Sequence, residues 1–106
     1  MYELEGRLFD WDKKKNLTNL EKHGVSFKAA ATAFFDTNAM TREDYEHSQC
    51  EDRFVLIGFS KEYDLLTVCH CYRGDGSITR IISAREATEK ERGFYEYGEN
   101  GRQNRP

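Results

Sequence analysis

The sequence predicts one α+β domain, in which an antiparallel β-sheet packs against two N-terminal helices and one C-terminal helix. Two observations predict this class. The chain has 106 residues, which is the size of a single domain. Two segments of helical periodicity come first, and strand-like runs then follow one another before a last helical segment. We therefore expect one domain over residues 1–106, of which residues 98–106 form a frayed tail.

The N-terminal part predicts one strand and two helices. Leu4–Phe9 can form the strand, and Asp12 can accept hydrogen bonds from the free amides of a helix over Lys13–Lys22. Gly24 ends that helix, because the left-handed position after a helix favours glycine. Ser26 then caps a short second helix. The buried face of this second helix is marked by Phe27, Ala30, Ala31 and Phe34.

The C-terminal part predicts a series of strands followed by a helix. Gly74-Asp75-Gly76 gives the tight turn before the last strand, because Asp-Gly supplies the positive φ values that such turns need. The pattern Ser83-Ala84-Arg85-Glu86 fits a capping box, which predicts that the last helix begins there. The expected strands are a short one around Ala39–Arg42 and longer ones over Arg53–Ser60, Leu65–Tyr72 and Ser77–Ser83.

Composition limits the classes of function. Apolar residues make up 38% of the chain and charged residues 33%, and 13% are aromatic, which favours a small globular core. The N-terminus lacks the apolar region of a signal peptide, and no apolar run approaches the ~18 residues of a membrane span. We therefore expect a cytoplasmic protein with no membrane partner. The odd number of cysteines, three, then favours reduced thiols.

The net charge of −3 is unevenly distributed along the chain. Residues 36–52 contain six acidic side chains and a single arginine, Arg42, so the rest of the chain is mildly basic. This distribution permits RNA binding but does not by itself indicate it.

One group of candidate site residues lies on the first predicted helix. Lys15, Asn19 and His23 follow at intervals of four residues and therefore share one side, where they can hold phosphate and assist proton transfer. A solvated helix face, on which the helix dipole favours a histidine near the C-terminus, explains the same pattern and is the more common case.

A second group of candidates is cationic. Arg80 lies in the last predicted strand, and Arg85 lies in the first turn of the last predicted helix, where a positive charge opposes the helix dipole. Such a local misfit favours a ligand-binding role, since a guanidinium group matches phosphate oxygens, and Arg53 can join the two. Surface ion pairs with the many glutamates explain these residues equally well.

Cys69-His70-Cys71 looks like a metal motif at first. In a strand, however, the two cysteines face one side of the sheet and the histidine the other. A thiolate site would also need Cys50, and structural zinc usually takes four ligands at tighter spacing. We therefore expect these side chains to be buried packing residues and the protein to hold no metal.

Four blocks of the sequence carry a resemblance to a known family. They are Phe9-x-Trp11-Asp12-x-x-Lys15-x-x-x-Asn19-x-x-Lys22-His23-Gly24-Val25-Ser26-Phe27, Glu51-x-Arg53-x-x-x-Ile57-Gly58, Arg80-Ile81-Ile82-Ser83-Ala84-Arg85 and Glu91-Arg92-x-x-Tyr95-Glu96. In this order they resemble the BrnT family of bacterial toxins. The resemblance implies a RelE-like fold, with an antiparallel sheet and helices, and a ribonuclease that inhibits translation. It also implies a DNA-binding, BrnA-like antitoxin as partner, with a complex of two toxins and two antitoxins as one arrangement and with operator DNA bound through the antitoxin alone.

The resemblance also implies roles for individual residues. Such enzymes use no metal or other cofactor, because the RNA 2′-hydroxyl attacks the neighbouring phosphorus and the protein assists the proton and stabilises the charged phosphorane. The implied catalytic residues are Arg80 and Arg85 for phosphate charge, and His23 or Tyr95 for proton transfer. The implied RNA-positioning residues are Lys15, Asn19, Lys22 and Arg53.

A second function stays open at the level of sequence. A catalytically inactive binding module, whose role is to form a complex with the antitoxin, would have the same fold. The presence of Arg80, Arg85 and His23 together favours the enzyme, because a binding module has no need of a proton-transfer group beside two cations.

Overall fold

The fold is built on one six-stranded sheet, as seen in a computed structural model that describes residues 1–49 and 51–103. In chain order the strands are β1 (Tyr2–Leu4), β2 (Arg7–Asp10), β3 (Met40–Glu43), β4 (Phe54–Phe59), β5 (Leu65–Arg73) and β6 (Ile78–Glu86). The α-helices of the described residues are α1 (Lys13–His23), α2 (Phe27–Thr32) and α3 (Glu89–Gln103). Across the sheet the strand order is β1-β2-β6-β5-β4-β3. The predicted α+β class and the number of three α-helices in the described residues are confirmed.

The prediction of a single strand over Leu4–Phe9 is wrong, because the chain reverses direction within it. Glu5 and Gly6 take positive φ values of 48° and 83° and join β1 to β2 as a two-residue hairpin turn. β2 then runs parallel to β6, with Phe9 opposite Thr79. The other four strand pairs are antiparallel. The sheet is therefore mixed, and the prediction of an antiparallel sheet is wrong at the β2–β6 pair, whose long connection includes α1, α2 and three strands.

The predicted start and end of α1 and the predicted start of α2 are confirmed, whereas Phe34, which was expected on α2, lies in the 3₁₀ turn Ala33–Phe35 that follows it. The Asp12 carboxylate accepts hydrogen bonds from the backbone amides of Lys14 and Lys15 at 2.8 and 3.2 Å. Gly24 follows α1 in the left-handed conformation, with a φ of 71°. The Ser26 hydroxyl accepts from a backbone amide in the first turn of α2 at 3.1 Å. These caps fix where each helix begins and therefore how the chain leaves β2.

Asn19 of α1 closes an open edge of β6. β2 pairs with β6 only as far as Arg80, so the residues that follow in β6 need another partner on that side. The Asn19 side-chain amide donates to the Ala84 carbonyl at 2.8 Å and accepts from the Ala84 amide at 3.1 Å. It also donates to the Val25 carbonyl at 2.9 Å, and Asn19 is only 6% exposed. The side chain thus replaces a neighbouring strand and holds α1 on the sheet.

The prediction that Ser83 and Glu86 cap the last helix is wrong, because both residues belong to β6. The same local pattern recurs at Thr88 and Glu91. There the Glu91 amide donates to the Thr88 hydroxyl at 3.1 Å, and the Thr88 amide donates to the Glu91 carboxylate at 2.9 Å. Pairing with β5 therefore decides between two equal local signals, and it places Arg85 in a strand instead of a helix.

The two faces of the sheet are covered differently. The core face lies against α1 and α2, and its buried side chains include Phe9, Leu56, Val68 and Ile81. On the other face, α3 covers one end, where Tyr95 packs against Ile57 and Leu65. The rest of this second face carries no α-helix in the described part of the chain, and we call it the open face.

The Cys69-His70-Cys71 segment lies in β5, with a register shift between Cys69 and His70. Because side chains alternate along a strand, the two cysteines belong to the open face and His70 to the core face. His70 is fully buried, and its ring contacts Phe34 and Phe54. Burial lowers the pKa of His70 to about 4. His70 is therefore a neutral core residue near pH 7.

Two further expectations concern the C-terminal tail and membrane spans. Residues 104–106 and Cys50 lie outside the described residues, so a frayed tail over residues 98–106 stays a prediction, although α3 extends to Gln103. None of the helices in residues 1–49 and 51–103 has the length and apolar character that a membrane span requires.

Candidate active site

The open face contains a groove of about 950 Å³. Its floor includes Val55, Cys69 and Ser83, which form one row across β4, β5 and β6. One wall is the segment 42–47, which ends β3 and continues as a 3₁₀ turn. Arg53 and Arg85 also line the groove. Because β4 and β6 run in the same direction, these arginines lie on opposite sides of the floor row, one before Val55 and the other after Ser83.

Arg85 is held in one orientation by a two-pronged ion pair. Its two terminal nitrogens donate to the two carboxylate oxygens of Glu91 at 2.7 and 2.9 Å. The Glu91 carboxylate also accepts from the Thr67 hydroxyl and the Thr88 amide, both at 2.9 Å. The Arg85 guanidinium is the main reason that the pKa of Glu91 is lowered to about 2. Both groups are therefore charged at neutral pH, and the cation has a fixed place in the groove.

A second cluster joins Arg53 to the wall segment. The Asp44 amide donates to the Arg53 carbonyl at 2.8 Å. The Ser48 hydroxyl donates to the Asp44 carbonyl at 2.6 Å and accepts from the Arg53 amide at 2.9 Å. Nδ1 of His47 lies 2.8 Å from a carboxylate oxygen of Asp44. Arg53 and the imidazole of His47 are thus carried by one hydrogen-bonded unit at the side of the groove.

The floor residue Cys69 is a thiol of ordinary reactivity. Burial raises the pKa of Cys69, although the positive charges of Arg53 and Lys15 act in the opposite direction. The thiol is therefore protonated at neutral pH and is a poor nucleophile.

The structure separates Arg80 and Arg85, the two arginines that were expected to stabilise phosphate charge. The expectation that Arg80 and Arg85 bracket a strand–helix junction is wrong, because both lie in β6. Arg85 lines the groove. Arg80 lies towards β2, where its guanidinium donates to the Asp10 carboxylate at 2.6 Å, and it is not among the described residues that line the groove.

The two predicted proton-transfer residues also lie apart from the groove. Tyr95 is buried, and its hydroxyl donates to the Asp36 carboxylate at 2.8 Å. His23 is exposed at the C-terminal end of α1. Neither residue belongs to the described lining of the groove, so the structure does not bring them together with Arg85.

The four predicted RNA-positioning residues have different environments. Arg53 lines the groove, whereas Lys15 is exposed on α1 and is not part of the described lining. Lys22 is exposed near the C-terminal end of α1. Asn19 is buried and hydrogen-bonded to the main chain on both sides of its amide, so the structure gives it a folding role. These residues therefore do not form one RNA-binding stripe.

Sequence reasoning missed the residues of the wall segment. Arg42, Tyr45 and His47 all line the groove, but they fall in the acidic stretch 36–52 and appeared unlike an RNA site. A usable signal was present, since Asp44 and His47 have the three-residue spacing that lets a carboxylate reach an imidazole within one helical turn.

The described residues contain no cluster of three or more histidine, cysteine, aspartate or glutamate side chains placed to hold a metal ion. Cys50 is outside this search, so the expectation that the cysteines bind no metal stays a prediction. The lining of the groove contains three arginines, Arg42, Arg53 and Arg85, together with four carboxylates, Glu43, Asp44, Glu46 and Glu91.

Comparisons with known proteins agree with this architecture. The chain is similar to the crystal structure, at 1.1 Å resolution, of the Brucella abortus ribonuclease toxin BrnT. The TM-score is 0.61 and the sequence identity is 22%, and the match covers 78% of this chain and 99% of that chain. No curated protein sequence matches the chain. The sequence model of the family described as ribonuclease toxin, BrnT, of type II toxin–antitoxin system matches residues 11–91, which contain the whole groove. The chain therefore belongs to the BrnT family of ribonuclease toxins.

Proposed function

We propose that this protein is an endoribonuclease that binds RNA along the groove of the open face, cleaves it without a metal ion and thereby inhibits translation. The observation that carries the proposal is that Arg53, Arg85 and the Asp44–His47 pair line one groove. Cleavage by the RNA 2′-hydroxyl needs positive charge beside the phosphorus and a group that accepts a proton. The groove offers both kinds of group within one surface.

Arg85 is the best candidate to stabilise the transition state. Its guanidinium is already oriented by Glu91, so it needs no rearrangement when the phosphoryl oxygens gain negative charge. A guanidinium has five N–H donors, and the ion pair leaves some of them for a phosphate oxygen. Arg53 lies across the floor row from Arg85 and can hold a neighbouring phosphate of the same strand.

The acidic residues of the groove do not exclude RNA from it. The carboxylate of Glu91 is paired with Arg85, and that of Asp44 is paired with His47. Glu43 and Glu46 add negative charge to the same lining, so phosphate binding depends on direct contact with the arginines and not on a net positive charge of the groove.

The family implies an antitoxin partner, and we propose that this partner is BrnA-like and inserts an acidic segment into the groove. Such a segment would pair with Arg53 and Arg85 and exclude RNA from the same surface. A complex of two toxins with two antitoxins, which reaches operator DNA through the antitoxin alone, belongs to the same proposal. Size exclusion of the two co-expressed chains tests it, and elution of the toxin alone would contradict it.

Growth arrest on induced expression tests the enzymatic function against the inactive binding module. The parent should stop growth and produce RNA fragments, and co-expression of the adjacent gene product should prevent both effects. Arg53→Ala and Arg85→Ala should each relieve the arrest, since loss of one such donor costs about 100- to 1000-fold in rate. A parent that leaves growth and RNA intact but binds the antitoxin would favour the binding module.

Arg80→Ala is the informative comparison in the same assay. Arg80 lies on the same strand as Arg85 but is paired with Asp10 outside the groove lining. We expect this variant to arrest growth like the parent if its melting temperature is unchanged. A folded Arg80→Ala protein that is harmless, beside a fully toxic Arg85→Ala protein, would contradict the proposed placement of the site.

A further inference from the structure

We propose that His47 is the general base of RNA cleavage, taking the proton of the attacking 2′-hydroxyl on its Nε2 atom. The inference rests on the proposed function and assigns a chemical step to a residue of the wall segment. The first observation that supports this inference is the position of His47, which lines the same groove as Arg53 and Arg85.

The contact with Asp44 prepares the imidazole for this role. Nδ1 of His47 lies 2.8 Å from a carboxylate oxygen of Asp44. A carboxylate oxygen accepts the hydrogen bond, so Nδ1 carries the hydrogen, and in the neutral ring the lone pair is on Nε2. The His47 side chain is 61% exposed and that of Asp44 is 18% exposed. The carboxylate therefore lies behind the ring, and the basic nitrogen is accessible to a substrate.

The position of the ring is tied to the phosphate-binding cation. Asp44 and Ser48, which flank the 3₁₀ turn that carries His47, both hydrogen-bond to the backbone of Arg53. The Arg53 backbone is therefore fixed relative to the turn that carries the imidazole, and its guanidinium can bring a phosphate beside the ring. General-base catalysis depends on such fixed geometry, since the base must reach the proton directly or through one water.

The other histidines and Tyr95 are less suited to the step. The chain has three histidines, and of these His70 is buried in the core with a pKa lowered to about 4 by desolvation. His23 lies at the end of α1, apart from the described lining of the groove. The Tyr95 hydroxyl is buried and donates to Asp36. His47 alone among these groups combines a basic nitrogen with access to the groove.

The step that we assign to His47 is a transesterification. The 2′-oxygen attacks phosphorus and forms a new P–O bond while its proton passes to Nε2 of His47. The bond from phosphorus to the 5′-oxygen breaks, and that oxygen takes a proton from water of the open groove. The products are a 2′,3′-cyclic phosphate and a 5′-hydroxyl, and the imidazolium returns its proton to water. Nothing is oxidised or reduced.

Cleavage of a fluorescent oligoribonucleotide, free and in ribosome-bound form, by the purified protein tests the inference. His47→Ala and His47→Gln should each lower kcat at least 100-fold, the range expected for loss of a general base. Gln can still donate to Asp44 but has no basic nitrogen, so it separates base catalysis from support of the wall segment. Glu21→Gln, at an exposed position of α1 outside the described lining of the groove, is the control and should keep the parental rate. Both His47 variants should melt like the parent because the His47 side chain is exposed.

Added imidazole gives a readout that a structural role would not produce. It should restore a measurable part of the activity of His47→Ala and leave the rate of the parent unchanged. A His47→Gln protein that cleaves within threefold of the parent would overturn the inference while leaving the proposed function intact, provided that Arg85→Ala is inactive in the same assay. A parent that cleaves neither form of RNA would overturn both.

Discussion

Replacing Asn19 by alanine should lower the free energy of unfolding of the protein instead of acting on RNA directly. The side chain makes three hydrogen bonds to the main chain, at 2.8 and 3.1 Å with Ala84 and at 2.9 Å with Val25. All three lie in a buried region, since Asn19 is 6% exposed. Truncation would leave the Ala84 carbonyl and amide, at the edge of β6, and the Val25 carbonyl without their partners.

The expected loss is several kcal/mol. A buried polar group that loses its partner costs about 1–3 kcal/mol. Partial access of water at the sheet edge lowers the sum of the three, so we expect the free energy of unfolding to fall by about 3 kcal/mol. For a domain near 100 residues this corresponds to a melting temperature lower by about 12–24 °C. Such a loss is a large part of the total stability of a small domain.

Thermal melting of the purified variants, followed by circular dichroism, measures this effect. Thr18→Ala is the matched control, because Thr18 is the preceding residue of α1 and is exposed. It should melt within about 2 °C of the parent, as surface substitutions usually do. An Asn19→Ala protein that melts like the parent but has lost RNA binding would refute the edge-closing role and restore the RNA-positioning hypothesis.

Three further predictions concern packing, pH and the ion pair of the groove. Gly58→Ala should destabilise the fold by about 1–3 kcal/mol in urea unfolding, because the new Cβ would lie 2.8 Å from the Ala33 carbonyl oxygen. Gly93→Ala, in helix α3, should instead stabilise the fold by up to about 1 kcal/mol, because its new Cβ would meet nothing within 4 Å. A Gly58→Ala protein more stable than the Gly93→Ala protein would contradict the packing of β4. Lowering the pH from 7 to 5 should reduce the free energy of unfolding by about 2 kcal/mol. The reason is that His70 binds a proton below pH 6.5 in the unfolded chain, whereas in the folded protein its pKa is lowered to about 4. A His70→Leu protein with the same loss of stability between pH 6.5 and 5 would count against this cause. Glu91→Gln should lower the free energy of unfolding by about 2 kcal/mol, and with it the melting temperature, because Arg85 loses its charged partner. The RNA cleavage rate should fall as well, and unchanged cleavage would show that Glu91 does not orient Arg85.

Local signals of the sequence predicted the helix ends well. Asp12, Gly24 and Ser26 act through atoms only a few residues away, so their roles follow from residue type and order. The start of the last helix did not follow, because Ser83–Glu86 and Thr88–Glu91 have the same capping pattern. Only pairing with β5 decides that the first of these belongs to a strand. The parallel β2–β6 pair was missed for a related reason, since it joins segments from opposite ends of the chain.

The candidate site was predicted in part. Arg53 and Arg85 were singled out as cations, and both line the groove. His47 was not, because its place beside them depends on the pairing of β3 with β4 and on the turn that follows β3. Asn19 was singled out by residue type, but its role depends on the sheet edge that β2 leaves open. The chemical type of each candidate residue could thus be predicted from the sequence, whereas the residues that each one contacts depend on the strand order.

The most direct test of the proposed ribonuclease groove is cleavage by the purified protein in the presence of EDTA, with ribosome-bound messenger RNA and a free oligoribonucleotide as substrates. The parent should cut at least one of them to a 2′,3′-cyclic phosphate, and a single 2′-deoxy nucleotide at the mapped cut site should block that cut. Arg53→Ala and Arg85→Ala, each with unchanged melting, should cleave about 100- to 1000-fold more slowly. Equal cleavage of the 2′-deoxy substrate, or parental rates in both folded arginine variants, would contradict RNA cleavage by this groove.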